Sequence, residues 1–580
     1  MFGVLGKLGW FFQRYWVQYS IAIVLLIITS ALEVIPPYLL GNIIDILTAG
    51  EMTKAILGKY MLIFAVIIIG GYVLNFVWEY GLFEGAINLE KIMRRKLMLH
   101  FLRMSPPFYE KYRTGDLMAR ATNDLNAVSL TAGFGIMTLI DATIYLGAII
   151  LAMGFMISWK LTLFAMLPVP VMAIFIQYFG RLIHERYIEA QDAFGEMNDS
   201  VLESVAGVRV IRAYVQEKND ETRFGDMSEK VYEKNMQAAK INALFGPITR
   251  LGTGVSYIIS LGYGAFLIAN GEMTVGQLVT FNVYLGLAVW PIFAFAELVN
   301  VMQQGNASLD RVNAILDYKA DIQNRRNPIR VTEPHTIRFD ELAFQYPTSQ
   351  VKNLQEITMS LKKGETLGIV GKTGAGKTTL LRQLLREYPF GDGQLSINGV
   401  EITAQRKEQI LDWIGYVPQD HVLFSRTIRE NILFGKEDAT EADLQKAIRL
   451  ASFEKDLEQL PMGLETLVGE KGISLSGGQK QRVSIARALI KDPEILILDD
   501  SLSAVDANTE AGIIKNIQNE RKGKTTIITT HRLSSIQHAN HIIVLDEGRI
   551  IEQGSHDELI QQEGWYQDQF VRQQLEGGGS

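Results

Sequence analysis

ETLGIVGKTGAGKTTLLRQLL, residues 365–385, is the stretch that decides the fold of the C-terminal half of this chain. Leu367 to Val370 read as a short buried strand, and the apolar spacing after Thr378 reads as a helix. Between them lies a P-loop, Gly371-Lys372-Thr373-Gly374-Ala375-Gly376-Lys377-Thr378. Its glycines let backbone N–H groups approach phosphate oxygens, and Lys377 adds a positive charge at the outer phosphates. The Thr378 hydroxyl is placed to ligate Mg²⁺, and Thr379 completes the set of residues expected against the nucleotide. The strand before and the helix after give this spacing its specificity.

Two further segments belong with the loop. ILILD, residues 495–499, is an all-apolar strand ending in an acid, which puts Asp499 at the strand's C-terminal edge beside the P-loop, where it can hold the hydration shell of Mg²⁺. An apolar strand ending in Asp is a weak signal alone. LSGGQ (Leu475, Ser476, Gly477, Gly478, Gln479) precedes it and opens the helix KQRVSIARALI. A Ser-Gly-Gly turn at a helix N-terminus is an anion site, here for a γ-phosphate. From about residue 336 onward, short β-rich runs alternate with helices and turn signals, the pattern of an α/β domain spanning 336–574.

In this order and spacing the segments resemble the ABC transporter ATPase family, and the likeness covers the whole C-terminal half. It implies roles for further residues: Tyr346 in FQYP as the aromatic that stacks on adenine, and Gln419 in YVPQD as the glutamine that links the Mg²⁺ site to the membrane helices. It also makes Asp506 in SLSAVD the D-loop acid, His531 in TTHRL the switch histidine on the γ-phosphate, and Gly469-Glu470-Lys471-Gly472 a loop that touches the coupling tips.

Upstream, Asp317 to His335 is polar, holds two prolines and reads as a linker over 316–335. Before it, in 1–315, stand six apolar stretches, at about 19–41, 60–83, 135–157, 160–180, 246–269 and 276–302. A helix of about 20 apolar residues crosses ~30 Å of hydrocarbon. The fold class expected is therefore an all-α membrane domain with long cytoplasmic extensions, followed by an α/β P-loop ATPase domain. Lys and Arg cluster in two long inter-span segments: Lys91, Arg94, Arg95, Lys96, Arg103, Lys111, Arg113 and Arg120 in the first, and nine more in 180–246. The other loops hold only Lys54, Lys59 and Lys160, so the long segments and both termini are expected in the cytoplasm. Each long segment reads as a helical hairpin, with tips expected at Thr114–Leu125 and Gly207–Gln216. They resemble the two intracellular segments of type IV exporters, whose coupling helices meet the nucleotide domains. The N-terminus lacks a signal-peptide cleavage pattern, and residues 575–580 read as a flexible tail.

Acidic residues in or beside spans are functional candidates by default. Glu33, Glu79, Glu84, Asp141 and Glu297 are of this kind. They either line a polar cavity for cationic substrates or bond to neighbouring hydroxyls and amides, Glu84 at the interface. Tyr145, Tyr284, Trp290 and Phe293 suit a cavity for flat apolar compounds, or simple packing.

One position departs from the family pattern. ABC ATPases carry a glutamate directly after the Asp that ends this strand, to polarise the attacking water; here it is Asp500. A carboxylate one methylene shorter should miss the bond that positions the water. Because LSGGQ is intact, the resemblance implies a heterodimer. Its slow site is built on this chain's P-loop, and its fast site lies on a second half-transporter to which this chain lends Ser476 and Gly478. The expected activity is ATP-driven export of amphipathic drugs or lipids from a bacterial cytoplasmic membrane, as in heterodimeric multidrug exporters. A homodimeric exporter or a lipid flippase would share every motif.

The bulk numbers agree. A net charge of -7 over 580 residues argues against a nucleic-acid partner. The absence of cysteine excludes disulfides, thiolate metal sites and a cysteine nucleophile.

Overall fold

The computed structural model describes residues 3–469 and 473–577, and divides the chain into two compact units. One comprises 1–100 and 115–318, the other 101–114 and 319–580.

The first unit is helical throughout. Among the described residues, five of its helical runs are long and apolar enough to cross a membrane. One of them, Thr114–Ala206, covers two of the expected spans and is divided at Ser158. There the backbone is extended, the Ser158 hydroxyl caps the helix Trp159–Met166, and the Trp159 ring lies over Gly154. The first span is also divided. Pro36 and Pro37 bring no N–H groups to the ladder, and the helix ending at Glu33 restarts at Ile35. Side chains of the helix Val275–Leu287 bond to carbonyls at this break: Tyr284 Oη donates to Val34 O at 2.6 Å and Thr280 Oγ1 to Pro37 O at 3.1 Å. The two helices approach closely because Gly41 and Gly276 face each other's backbones, and a Cβ on either would collide. Asp45 fastens the same crossing, accepting from Thr274 Oγ1 at 2.6 Å and Gly276 N at 2.8 Å.

The second long segment breaks at Gly207 and at Tyr214–Gln216, between the helices Pro168–Ala206, Val208–Ala213 and Glu217–Ala269. In the first segment, the tip lies upstream of the place expected. Thr114 begins a helical run that continues to Ala132, through a π-helical turn at 120–124. The polar and Gly residues of TGD start a helix there. The reversal falls in 102–113, where Ser105-Pro106-Pro107 opens the short helix Pro106–Lys111. Residues 101–114 fold with the second unit: Phe108 is fully buried, Ser105 Oγ donates to Asp321 at 3.0 Å, and Tyr388 Oη donates to Glu110.

Among the described residues the second unit holds ten strands: β1 Thr336–Phe344, β2 Leu354–Lys362, β3 Thr366–Gly371, β4 Asp392–Ile397, β5 Val400–Glu401, β6 Ile414–Val417, β7 Ile495–Asp499, β8 Thr525–Thr529, β9 His541–Asp546 and β10 Arg549–Gly554. β2-β1-β4-β5 form an antiparallel sheet. The larger sheet runs β10-β9-β3-β8-β7-β6, parallel except for β10. β7 and β8 are buried at every position, as a central parallel strand must be. Their register sets Asp499 opposite Thr529, so the ends of β3, β7 and β8 fall on one edge. At the C-terminus the helix Trp565–Gly577 runs through residues expected in the tail, Leu575 and Glu576 being good helix formers. Residues 578–580, and Glu470-Lys471-Gly472 of the expected coupling loop, lie outside the described residues.

Candidate functional site: a nucleotide site at the strand ends

β3 delivers the P-loop. Gly371 has φ 149° and Gly376 φ 103°; a Cβ on Gly371 would strike Leu545 O, and one on Gly376 would stand 2.8 Å from Asn353 O. Only glycine fits such backbone at such separations. Gly376 caps the helix Lys377–Leu384, whose free N–H groups point back into the loop. Lys377 is buried, and its Nζ donates to the carbonyls of Gly371 at 2.9 Å and Lys372 at 3.1 Å. The same Nζ stands 3.3 Å from His531 Nε2. Burial lowers the pKa of Lys377, and the carboxylates of Asp500 and Asp499 oppose that. His531 is held below the usual imidazole range by burial and by the Lys377 charge. Neutral at pH 7, it can accept from the ammonium.

Around Asp499 three hydroxyls converge. Thr529 Oγ1 donates to Oδ1 at 2.7 Å, Thr378 Oγ1 to Oδ1 at 3.2 Å and Tyr416 Oη to Oδ2 at 3.2 Å. Thr378 and Asp499 therefore present hard oxygen donors side by side, the chemistry Mg²⁺ selects. Among the described residues no group of three or more His, Asp or Glu could hold a metal alone. The ion's remaining ligands would be nucleotide oxygens and water, and on these terms the residues fit Mg²⁺. Gln419, the third expected ligand, lies exposed two residues beyond the end of β6, the neighbour of β7.

Asp500 follows with a left-handed backbone, φ 45°. Its N–H is fixed by Thr529, 3.0 Å from the carbonyl and 2.9 Å from Oγ1. Its carboxylate is pushed above the usual range by burial, with Asp499 adding to the rise, against the nearby His531 and Lys377 side chains and a bond from the His531 backbone amide.

Tyr346, just past β1, is half-buried. Its ring meets those of Phe344 and Tyr388 edge-on at 5.0 and 4.9 Å. Its hydroxyl bonds to Thr379 Oγ1 at 3.1 Å, in the first turn of the P-loop helix, and receives Arg382 Nη1 at 3.4 Å. The aromatic and the phosphate loop are thus parts of one structure.

Ser476-Gly477-Gly478-Gln479 form a separate surface. Ser476 caps the helix Gly477–Leu489 in a reciprocal box with Gln479, at 3.3 and 3.0 Å. Gln479 Nε2 donates to Asp456 at 3.2 Å, and Gly478 packs on the carbonyl of Ala504, which a Cβ would approach to 3.0 Å. Asp506 caps the helix Ala507–Glu520, accepting from Thr509 N at 3.0 Å, which lowers its pKa. The hydrogen bonds of this segment run within its own capping box and to Asp456, while Gly478 touches the D-loop by packing alone.

Several residues of this machinery carry no motif of their own. Thr529 orients both Asp499 and Asp500 from the end of the buried strand TTIIT; it also opens TTHRL, where the family pattern gave a role only to the histidine. Buried Gln481 accepts from Ala504 N at 3.2 Å, joining the signature helix to the D-loop. Arg532 donates to the carbonyls of Val505 and Ser503, each at 3.1 Å, and to the buried carboxylate of Glu510 at 2.7 Å.

Of the acidic residues in the membrane unit, Asp141 accepts from Trp290 Nε1 at 3.2 Å, Glu33 from the Tyr145 hydroxyl, and Glu84 from Gln18 at 3.2 Å. Glu79 and Glu297 are exposed. Tyr284 is buried at the first-span break.

Comparison with known proteins agrees with this division. Residues 19–292 match the ABC transporter transmembrane region, and residues 354–503 match the ABC transporter ATPase family model. The chain is 59% identical to the probable multidrug resistance ABC transporter ATP-binding/permease protein YheI of Bacillus subtilis, over the full length of both. It is 38% identical to the multidrug resistance-like ATP-binding protein MdlA of Escherichia coli, covering 99% of this chain and 97% of that protein. Among solved structures it superposes on a bacterial Atm1-family ABC exporter with ATP bound at a TM-score of 0.81 and 25% identity, covering 97% of this chain and 99% of the other. The chain belongs to the ABC transporter family, with an exporter-type membrane domain followed by an ATPase domain that couples ATP hydrolysis to transport.

Proposed function

We propose that this chain is one subunit of a heterodimeric exporter of amphipathic small molecules, several drugs among them, in the bacterial cytoplasmic membrane. Its long helical extensions, ATPase domain and termini face the cytoplasm. In this reading Tyr346 stacks on adenine, the P-loop residues Gly371–Thr379 wrap the phosphates, and Thr378, Asp499 and Gln419 hold Mg²⁺. Held there, Mg²⁺ would supply positive charge beside the phosphates. His531 contacts the γ-phosphate, and Ser476, Gly477, Gly478, Gln479 and Asp506 complete the partner's site. In this reading the chain resembles the BmrC half of the heterodimeric exporter BmrCD; the names of the relatives support drugs as substrates.

The observation that carries the asymmetry is Asp500. Its backbone is fixed to Thr529 at 3.0 and 2.9 Å, so the chain cannot slide forward to make up for a missing methylene. Positioning supplies most of the rate in phosphoryl transfer, so the site it serves is slow. Two measurements test this. The intact complex, purified from its native membrane in mild detergent, should contain an equal amount of a second, distinct chain. Asp500→Glu should raise hydrolysis at this chain's own site by about tenfold or more. A complex of this chain alone, or an Asp500→Glu transporter with unchanged turnover, overturns the reading.

A further inference from the structure

The switch loop is held from two sides, and only one of them belongs to a recognised motif. On one side Arg532 ties it to the D-loop carbonyls of Ser503 and Val505. On the other stands Gln573, on the C-terminal helix Trp565–Gly577. Its side-chain Nε2 donates to the carbonyl of His531 at 2.8 Å, and its Oε1 accepts from the backbone N–H of Leu533 at 2.9 Å. One amide thus closes on the backbone either side of Arg532. The two bonds fix the amide's orientation, since only its NH₂ can donate and only its oxygen can accept.

The helix that carries Gln573 is anchored independently of the loop. Glu552 of β10 accepts from the N–H groups of Trp565 at 2.5 Å and Tyr566 at 3.1 Å, binding the helix start to the sheet. Tyr566 is fully buried and bonds through its hydroxyl to His556 Nδ1 at 2.8 Å; the Phe570 ring packs on the same imidazole at 5.2 Å. Tyr566, Phe570 and Gln573 stand at i, i+4 and i+7, one face of the helix. Two aromatics seat that face, and the third residue is a polar group with two bonds, both to the switch loop.

We infer that Gln573 is a positioning residue for His531, so that the seating of the C-terminal helix sets where the switch histidine stands. The inference rests on the reading of His531 as the γ-phosphate contact. It requires that loosening Gln573 weaken ATP relative to ADP at this chain's site, because ADP has no γ-phosphate for His531 to meet.

The test uses the full transporter as it assembles, in three forms: wild type, Gln573→Ala and Gln573→Glu. Hydrogen exchange at the Leu533 amide should be about tenfold faster in Gln573→Ala, with exchange in 566–570 unchanged. It should stay near wild type in Gln573→Glu, which keeps an acceptor for Leu533. Competition of ATP and ADP against a photoreactive ATP analogue crosslinked to this chain should show Gln573→Ala losing about fivefold in ATP preference, ADP affinity holding. In a His531→Ala background, the Gln573 substitution should change nothing further. Unchanged exchange at Leu533, equal losses for ATP and ADP, or a full additional loss in the His531→Ala background each overturn the inference. If His531→Ala itself leaves the ATP-to-ADP preference intact, the role given to His531 is what fails, and exchange at Leu533 decides the clamp alone.

Discussion

The two units use apolar side chains in opposite ways. β7, Ile495–Asp499, is buried at every position, and each polar group at its end has a named partner. The helix Lys54–Phe101 instead presents Val66, Ile69 and Tyr72 at 64, 65 and 78% exposure, as a surface meant for hydrocarbon does. In the ATP-binding unit, position is set by hydrogen bonds between specific residues on strand ends. In the membrane unit, composition suffices over most of a span, and specificity retreats to a few places where helices touch. The crossing at Gly41 and Gly276 is one such place, and it behaves like the site, with no room and defined partners.

That contrast can be broken by substitution. The largest effect expected is for Gly276→Val. Its side chain must enter the backbone of Gly41 and displace Asp45 from its bonds to Thr274 and Gly276. Overpacking of this kind costs about 3 kcal/mol. The purified transporter should lose several degrees of thermal stability and its monodispersity, while Val66→Ala on the exposed helix should leave both unchanged. A Gly276→Val protein as stable as wild type would mean the membrane unit has no such specific contacts.

A smaller but sharper effect is expected in the ATP-binding unit for Thr529→Val, which keeps the shape of β8 and removes one hydroxyl. Asp499 loses its shortest bond, at 2.7 Å, and the Asp500 amide loses one of its two acceptors. A buried carboxylate deprived of a donor costs about 1–3 kcal/mol. Mg²⁺-dependent nucleotide binding at this chain should weaken by roughly tenfold to a hundredfold. Nucleotide binding without Mg²⁺ should change much less, since Lys377 and the loop amides are untouched.

These two variants also mark what the sequence could and could not reveal. The P-loop, LSGGQ and the acid after ILIL were legible because the chemistry demands those residue types at fixed spacing. Thr529, Gln481, Arg532 and Gln573 were not, because each acts only through the register of β8 or the seating of a helix. The apolar stretches were legible from composition and length, yet the tip of the first cytoplasmic segment was misplaced. The tip was expected at Thr114–Leu125, but a Gly beside Thr and Asp also serves to start a helix, and Ser105-Pro106-Pro107 upstream carries the reversal. The acidic residues of the spans could be found but not paired: that Asp141 meets Trp290 and Glu33 meets Tyr145 depends on how helices rotate against each other.

The mildest test concerns the join between β1 and the P-loop helix. Tyr346 contributes a ring and a hydroxyl, and the structure separates them. The ring is set by edge-on packing with Phe344 and Tyr388, while the hydroxyl reaches Thr379 at 3.1 Å and Arg382 at 3.4 Å. Tyr346→Phe keeps the first and removes the second. The two bonds of this half-exposed hydroxyl, the longer one from the Arg382 guanidinium, are together worth about 1 kcal/mol, so ATP affinity at this chain should fall about fivefold or less. Tyr346→Ala, which also removes the stacking surface, should cost about tenfold or more. If the two variants are equally weak, the hydroxyl's hold on the P-loop helix sets the affinity and the ring is secondary. If Tyr346→Phe matches wild type, the aromatic acts by stacking alone. The join between β1 and the P-loop helix would then tolerate the loose chemistry that the membrane-facing helices show.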